Sequence, residues 1–309
     1  ACFIGSGKVQ EMAETLRNSE VSTIIFNHNL KPMQIRNIGR IVGDEIKIVD
    51  RSSLILDIFA KHAKTPESKI QVELAQLKYL LPRLAGMWKH LERQYGTIGV
   101  RGPGEKQLET DKREIAKHIR VLNKKLLKIE KERKVQSKRR SNLFRVAIVG
   151  YTNAGKTSLL NKVTGADSFV ADMLFATLDS TTRRMSDGTN TILITDTIGF
   201  IKKLPHNLIE SFKSTLSEAK EADLLLIIAD GSHPAISEHL TVVNNVLDEI
   251  KAPGENRRFL LINKIDKLTY DEKAQLRREF PNAFFISVIK GNGISSLKDS
   301  IFSYLESLN

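Results

Sequence analysis

Gly150-Tyr151-Thr152-Asn153-Ala154-Gly155-Lys156-Thr157 meets the pattern G-x-x-x-x-G-K-[ST] at every constrained position. The apolar run Phe144 to Val149 leads into it, and a helix-like stretch, Ser158 to Val163, follows. Phosphate binding needs that order. A strand delivers the loop, its glycines let backbone amides turn onto phosphate oxygens, and the helix N-terminus adds partial positive charge. Lys156 is placed to reach the terminal phosphates and the Thr157 hydroxyl to ligate Mg²⁺. The loop specifies a nucleoside triphosphate but not its base.

Further runs at Thr191–Asp196, Asp223–Ala229, Phe259–Asn263 and Ala283–Ser287 alternate with helical stretches. This alternation predicts an α/β domain with a mostly parallel sheet and helices on both faces, its loops at the carboxyl ends of strands forming the site. Asn263-Lys264-Ile265-Asp266 ends one such strand. An Asp carboxylate accepts from both N1–H and the exocyclic amine of guanine. Adenine does not offer that donor pair, so a buried Asp266 would be left unpaired against it. Asn263 can bond the base and tie neighbouring loops, and the stem of Lys264 can cover the ring. Ser287-Val288 falls where a base-edge loop would lie.

Asp196-Thr197-Ile198-Gly199 follows the strand ending at Thr195, which places Asp196 to hold Mg²⁺ through water and the Gly199 amide to sense the γ-phosphate. Thr177, in Phe175-Ala176-Thr177-Leu178-Asp179, is the candidate second hydroxyl on Mg²⁺, with Thr181 and Thr182 as alternatives on the same expected loop. These motifs, in this order, resemble the translation-factor-like GTPases. After Gly199 comes Phe200, where many such proteins carry a Gln that orients the attacking water. Slow intrinsic hydrolysis that needs help is expected. Asn153 occupies the loop position that carries Asn in GTPases using K⁺ in place of an arginine finger; bracing of the loop is the competing role.

The 309 residues carry a net charge of +12 and one cysteine, Cys2. The charge favours anionic partners, and the cysteine count leaves no disulfide partner and points to a reducing, cytoplasmic setting. No apolar run is long enough to span a bilayer; peripheral membrane association is left open. No secretory signal is read, and a monomer is the expected state. The first residue is Ala, which points to a processed or trimmed start.

Residues 1–64 read as a small α/β subdomain. Its expected strands are Val21–Phe26 and Glu45–Val49, and its helices Val9–Leu16, Lys31–Ile41 and Ser52–His62. Gly5-Ser6-Gly7-Lys8 lacks the phosphate-loop spacing and is expected to be a strand-to-helix turn.

Residues 65–141 differ. Ile70, Leu74, Leu77, Leu81, Leu84, Trp88, Leu91 and Tyr95 recur at spacings of four and three, as do Leu108, Ile115, Ile119, Leu122, Leu126 and Ile129. This is a coiled-coil seam, and the short linker predicts an antiparallel two-helix hairpin, kinked at Pro82, with a Gly-rich tip over 96–105. From Lys106 to Arg145 stand 15 Lys or Arg against five acids, nearly all of the chain's excess charge. Lys106, Lys112, Arg113, Lys117, Arg120 and Lys124, with Arg101 at the tip, are the candidate contacts to a nucleic-acid backbone. Residues 142–309 form the nucleotide domain.

The tip and second helix read I-G-V-R-G-P-G-E-K-Q-L-E-T-D-K-R, close to the I-G-T-R-G-P-G-E-T-Q-L-E-T-D-R-R signature of the HflX family of ribosome-associated GTPases. The first helix, G-Y-T-N-A-G-K and F-A-T-L-D are also similar to that family. Val100, Lys106 and Ser180, and the order Thr157-Ser158, depart from it mildly. The resemblance covers essentially the whole chain, whose ends look shortened beside it. It implies a P-loop GTPase domain binding GTP/GDP and Mg²⁺. It also implies association with the large ribosomal subunit and its rRNA through the N-terminal region and hairpin, in ribosome rescue, splitting or regulation. The alternative is an RNA-binding or ribosome-assembly module that uses GTP only as an occupancy signal.

Overall fold

A computed structural model describes residues 2–43, 45–87, 103–138, 143–166, 178–202 and 213–308. The chain divides into two compact units, one built from Ala1–Lys61 and Lys69–Ile129, the other from His62–Ser68 and most of the chain after Glu130.

In the first unit, α1 (Ser6–Arg17), β1 (Thr23–Phe26), α2 (Pro32–Val42), β2 (Lys47–Asp50) and α3 (Arg51–His62) follow in order. β1 and β2 pair in parallel, Ile24 beside Ile48, with α2 as the crossover. Pro32 opens α2, where its fixed φ suits the first turn and its missing N–H costs nothing; the Lys31 amide donates instead to Gln34 Oε1 at 2.8 Å. Val9, Ala13, Ile24, Phe26, Leu30, Ile38 and Val42 fill the core between helices and strands. Gly5-Ser6-Gly7-Lys8 is not a strand-to-helix turn. Residues 2–5 form no strand, and the helix starts at Ser6, with Lys8 paired to Glu11 at 2.8 Å one turn on.

Most of two long helices, α4 (Pro66–Met87) and α5 (Pro103–Lys138), belongs to this unit, which takes in their residues from Lys69 to Ile129. α4 runs on through Pro82, which removes one backbone hydrogen bond without ending the helix. α5 begins at Pro103, so Pro103-Gly104-Glu105 belong to its first turn and not to the tip. A proline is well suited there for the reason given for Pro32. The rest of the tip, Arg101 included, and Trp88, Leu91 and Tyr95 lie outside the described residues. The seam residues Leu74, Leu84 and Leu122 are buried. Glu73 of α4 meets His118 of α5 at 3.3 Å, a contact between the two helices. Arg113, Lys117, Arg120 and Lys124 are exposed and Lys112 is half-buried; Lys106 lies in the first turns of α5.

The second unit holds a six-stranded sheet. Its strands are β3 (Phe144–Gly150), β4 (Thr181–Ser186), β5 (Thr191–Asp196), β6 (Leu224–Asp230), β7 (Arg258–Asn263) and β8 (Phe284–Phe285), in the order β4-β5-β3-β6-β7-β8. All neighbours are parallel except β4 with β5. Alternate residues of β3, β5 and β6 (Val146, Ile148, Ile192, Ile194, Leu224, Leu226, Ile228) pack with Leu159, Leu160, Leu297 and Ile301. The intervening Ala147, Val149, Leu225 and Ile227 are buried as well. Burial of both faces is why these strands read as continuous apolar runs. The helices α6 (Lys156–Thr164), α7 (Lys213–Lys220), α8 (Ile236–Glu249), α9 (Tyr270–Glu279) and α10 (Ile294–Glu306) supply the covering layers. Among the described residues no helix is long and apolar enough to cross a membrane.

β4 corrects the placement of Thr181 and Thr182. They lie on an edge strand, Thr181 paired with Asp196, and the Thr182 and Thr195 hydroxyls meet at 3.0 Å. Pairing with β5 holds them out of a loop.

Candidate functional site

The carboxyl end of β3 turns at Gly150 and the chain re-enters a helix at Lys156, two residues before the sequence pattern places it. Asn153 and Gly155 carry φ of 62° and 101°, the left-handed conformations that point successive amides to one side. A Cβ at Gly155 would run into the Asn263 side-chain nitrogen, so both conformation and space demand glycine. Asn153 is exposed and Tyr151 half-buried, whereas Thr152 and Ala154 are buried. Among the described residues, the buried Thr152 Oγ1 has no hydrogen-bond partner. Ser158 follows on the first turn of α6.

Lys156 is buried, its Nζ donating to the carbonyls of Tyr151 (2.9 Å) and Gly150 (3.3 Å). Burial lowers its pKa to about 8, against the opposing pull of the Asp196 charge. Thr157 Oγ1 donates to Asp196 Oδ2 at 2.6 Å, and Asp196 is fully buried at the end of β5. Next to it, Thr197 anchors the strand end by donating to the Ile148 carbonyl at 2.8 Å. A hydroxyl and a carboxylate in contact are hard oxygen donors and fit Mg²⁺. Thr177 and Phe175 lie outside the described residues.

The segment after β5 is sewn to the phosphate loop. The Phe200 amide donates to the Gly150 carbonyl at 3.0 Å, and the Thr152 amide to the Phe200 carbonyl at 2.8 Å. Gly199 lies so close that a Cβ would meet Thr152 Cγ2 at 2.8 Å and Lys156 Nζ at 2.9 Å. A Gly199→Ala variant is therefore expected to lose about 1–3 kcal/mol of stability by overpacking, read as a lower urea midpoint at unchanged m-value.

On the other side of the loop, Asn263 joins two loops. Its Nδ2 donates to the Ala154 carbonyl (2.9 Å) and its Oδ1 accepts from the Val288 amide (3.1 Å). Ser287, fully buried, donates to Asp266 Oδ1, a bond that holds the Asp266 carboxyl below its ordinary range. Asp266 itself is exposed, which amends the expectation of a buried carboxylate. Desolvation at this position has to come from whatever covers it. Lys264 adopts φ 63° and pairs with Asp230 at 2.7 Å. Burial opposes the Asp230 charge, but bonds from Lys264 and Ser232 outweigh it and lower its pKa.

Asp230 was invisible to the sequence reading; a carboxylate closing the apolar run Leu224–Ala229 was the available signal. A second omission is Asp179, which accepts from the amides of Lys64 (3.1 Å) and Thr65 (3.3 Å) and from the Thr65 hydroxyl. Thr65 in turn caps α4 by accepting from the Ser68 amide at 3.1 Å.

Residues 1–60 match the family described as GTP-binding GTPase N-terminal, residues 62–140 its middle region, and residues 145–264 the family described as 50S ribosome-binding GTPase. The GTPase HflX of Escherichia coli is 46% identical over 301 residues, covering 96% of this chain and 70% of that protein. The chain belongs to the HflX family of GTPases. The Flavobacterium psychrophilum member is 48% identical over 264 residues. Its match takes in 85% of this chain and 63% of that protein, so the chain spans less than two thirds of that relative's length. A crystal structure of a GTP-binding protein from the archaeon Sulfolobus solfataricus in complex with GDP shares the architecture, with a TM-score of 0.53 and 29% identity over 99% of this chain and 86% of that one.

Proposed function

We propose that this chain binds GTP and GDP, hydrolyses GTP slowly by itself, and acts on the large ribosomal subunit through its N-terminal region and basic hairpin, in ribosome rescue, splitting or regulation. The observation that carries the reading is the convergence, at the carboxyl ends of β3, β5 and β7, of two halves of a guanine-nucleotide site. Buried Lys156 and the Thr157–Asp196 pair form one half, and Asn263 with Asp266 and Ser287 the other, bridged by the Asn263–Ala154 bond. The GDP-bound archaeal relative and the ribosome-binding description of the family matched over 145–264 support it.

Thr157 and Asp196, with Thr177, would hold Mg²⁺, which supplies charge neutralisation at the β- and γ-phosphates. In hydrolysis a water oxygen attacks the γ-phosphorus, the bond to the β–γ bridging oxygen breaks, GDP carries away the electron pair, and the water's proton passes to the released phosphate. Lys156 and the amides of the phosphate loop and α6 stabilise the charge that shifts onto those oxygens. Phe200 is buried and apolar, with no side-chain group to orient the water. Asn153, exposed on its left-handed turn, is the proposed K⁺ ligand. The exposed Arg113, Lys117, Arg120 and Lys124 of α5 are the proposed rRNA contacts, with Lys106, Lys112 and Arg101.

Single-turnover GTP hydrolysis with and without ribosomes, in K⁺ and in Na⁺, tests the whole reading. Stimulation by large subunits is expected, with K⁺ faster than Na⁺. Because Phe200 offers no catalytic side chain, the second reading is a ribosome-assembly module with GTP as an occupancy signal; tight ribosome binding without stimulation would establish it. Failure to co-sediment with ribosomes in a non-hydrolysable GTP analogue would remove the ribosomal role. Asp266→Asn is expected to trade guanine for xanthine preference by about 1–3 kcal/mol, seen as crossed GDP and XDP affinities.

A further inference from the structure

Tyr151, the first residue after Gly150, carries an aromatic ring on a loop otherwise made of small and polar residues. That ring lies flat on His239 of α8, with centroids 3.7 Å apart and planes 6° from parallel. Behind it, His233 sits against His239 at 4.3 Å. His233 is itself fixed, its Nδ1 accepting from the Ala235 amide at 3.0 Å just before α8 begins. The Tyr151 hydroxyl accepts from the Lys202 backbone amide at 2.9 Å, and the Lys202 ammonium pairs with Glu238, the neighbour of His239 on the same helix.

These contacts converge on residues 200–202. The segment is tied to the phosphate loop by the two Phe200 backbone bonds and by the Tyr151 phenol. In a GTPase this is the segment whose side chain orients the attacking water, and here that side chain is Phe. With Phe at this position, the placement of the segment's backbone, and of any partner group that docks on it, bears on how the water is ordered. The phenol is one of the three ties on that placement, and the His239 ring packs flat against it.

We infer that His239 is a positioning residue for GTP hydrolysis, acting through Tyr151 to hold residues 200–202 against the phosphate loop. The inference rests on the GTPase reading above. A purely packing role for the same stack would show in stability alone. A positioning role shows in turnover, because misplacement of about 1 Å near reacting groups costs up to about a hundredfold.

The charge environment gives a second readout. Burial foremost, then the neighbouring His233 and Lys202, lower the His239 pKa, while Glu238 and Asp230 oppose them. The neutral ring is therefore the form that stacks. A base whose pKa is depressed in the closed arrangement favours that arrangement fully above its ordinary pKa of about 6.5, and loses it as pH falls below that value.

The experiment compares wild type, His239→Ala, His239→Phe and Tyr151→Phe in ribosome-stimulated GTP hydrolysis, with GDP affinity and thermal melting measured on each. His239→Ala is expected to lower kcat about tenfold with GDP affinity held within about twofold. His239→Phe, which keeps a flat ring but cannot be protonated, should recover most of kcat and lose the acid limb of the pH profile. Tyr151→Phe, lacking the acceptor for the Lys202 amide, should reproduce the kcat loss. An unchanged kcat in His239→Ala overturns the inference. So does a loss of melting temperature and GDP affinity that tracks the loss of kcat, because that is packing. If wild type itself hydrolyses no GTP, the GTPase reading fails first and this inference with it, a result distinct from a normal wild type with an indifferent His239.

Discussion

Asp50→Ala is expected to destabilise the first unit by about 3–5 kcal/mol, the cost of breaking a buried ion pair by removing one partner. Asp50 is 1% exposed at the end of β2. Its Oδ2 accepts from the Leu30 amide (3.0 Å) and faces the Arg83 guanidinium (3.4 Å). Its Oδ1 accepts from the Ser53 amide (2.8 Å) and from the Tyr79 hydroxyl (2.6 Å). One carboxylate thus closes the turn after β1, starts α3 and receives two side chains of α4. Burial and the charge beside it push the Tyr79 phenol far above its usual range, so it remains a donor at every working pH. Truncation leaves two amides, a hydroxyl and a guanidinium to find new partners in a dry site. Hydrogen exchange at the amides of Thr23–Phe26 and Lys47–Asp50 should accelerate together, with urea unfolding giving the magnitude. Tyr79→Phe removes one of the four bonds and should cost about 1–3 kcal/mol. Equal stability of Asp50→Ala and wild type would mean the network contributes nothing net.

Nothing in the sequence marks Asp50, and the reason is general. The residues legible in advance are those whose chemistry is local. Gly150 to Thr157 must bend a loop onto phosphates within eight positions, and Asn263 to Asp266 must present a base edge within four, so their spacing is itself the signal. Asp50, Asp179 and Asp230 act through partners distant in sequence; Tyr79 lies 29 residues from Asp50, and Lys64 lies 115 from Asp179. Only the folded chain brings those pairs together. β4 was missed for a related reason. Thr181-Thr182-Arg183-Arg184-Met185-Ser186 buries Met185 alone, so no apolar alternation announces a strand, and its pairing with β5 decides its conformation. Conversely, the central strands were readable as runs because both faces of the sheet are covered. The start of α6 was misjudged by two residues because a phosphate loop enters its helix through Gly155, a poor helix former by propensity that the close approach of Asn263 makes necessary.

Removing the Lys156 ammonium is expected to weaken GDP binding by about 2–5 kcal/mol, roughly 30- to 5,000-fold in Kd, as for truncating one partner of a buried charge pair. The protein without nucleotide should melt no lower in Lys156→Met than in wild type. The amine is buried against two carbonyls, and burial has already drawn its pKa down to about 8, so its charge opposes folding at neutral pH. The same shift predicts a pH dependence of binding. Phosphates placed beside Nζ favour the ammonium, so the nucleotide complex has the higher pKa. Below about pH 8 the free protein already carries the proton, and affinity is at its plateau. Above pH 8 binding must take up a proton, and Kd should rise by about tenfold per pH unit toward the ordinary lysine pKa. Fluorescent GDP titrations from pH 7 to 9.5 measure this directly. Lys156→Met should give a weak Kd that is flat over the same range, which separates loss of the proton from general alkaline damage. A wild-type Kd that stays constant through pH 9.5 would mean that Lys156 keeps its ordinary pKa in the free loop, and that its burial there is lifted in solution.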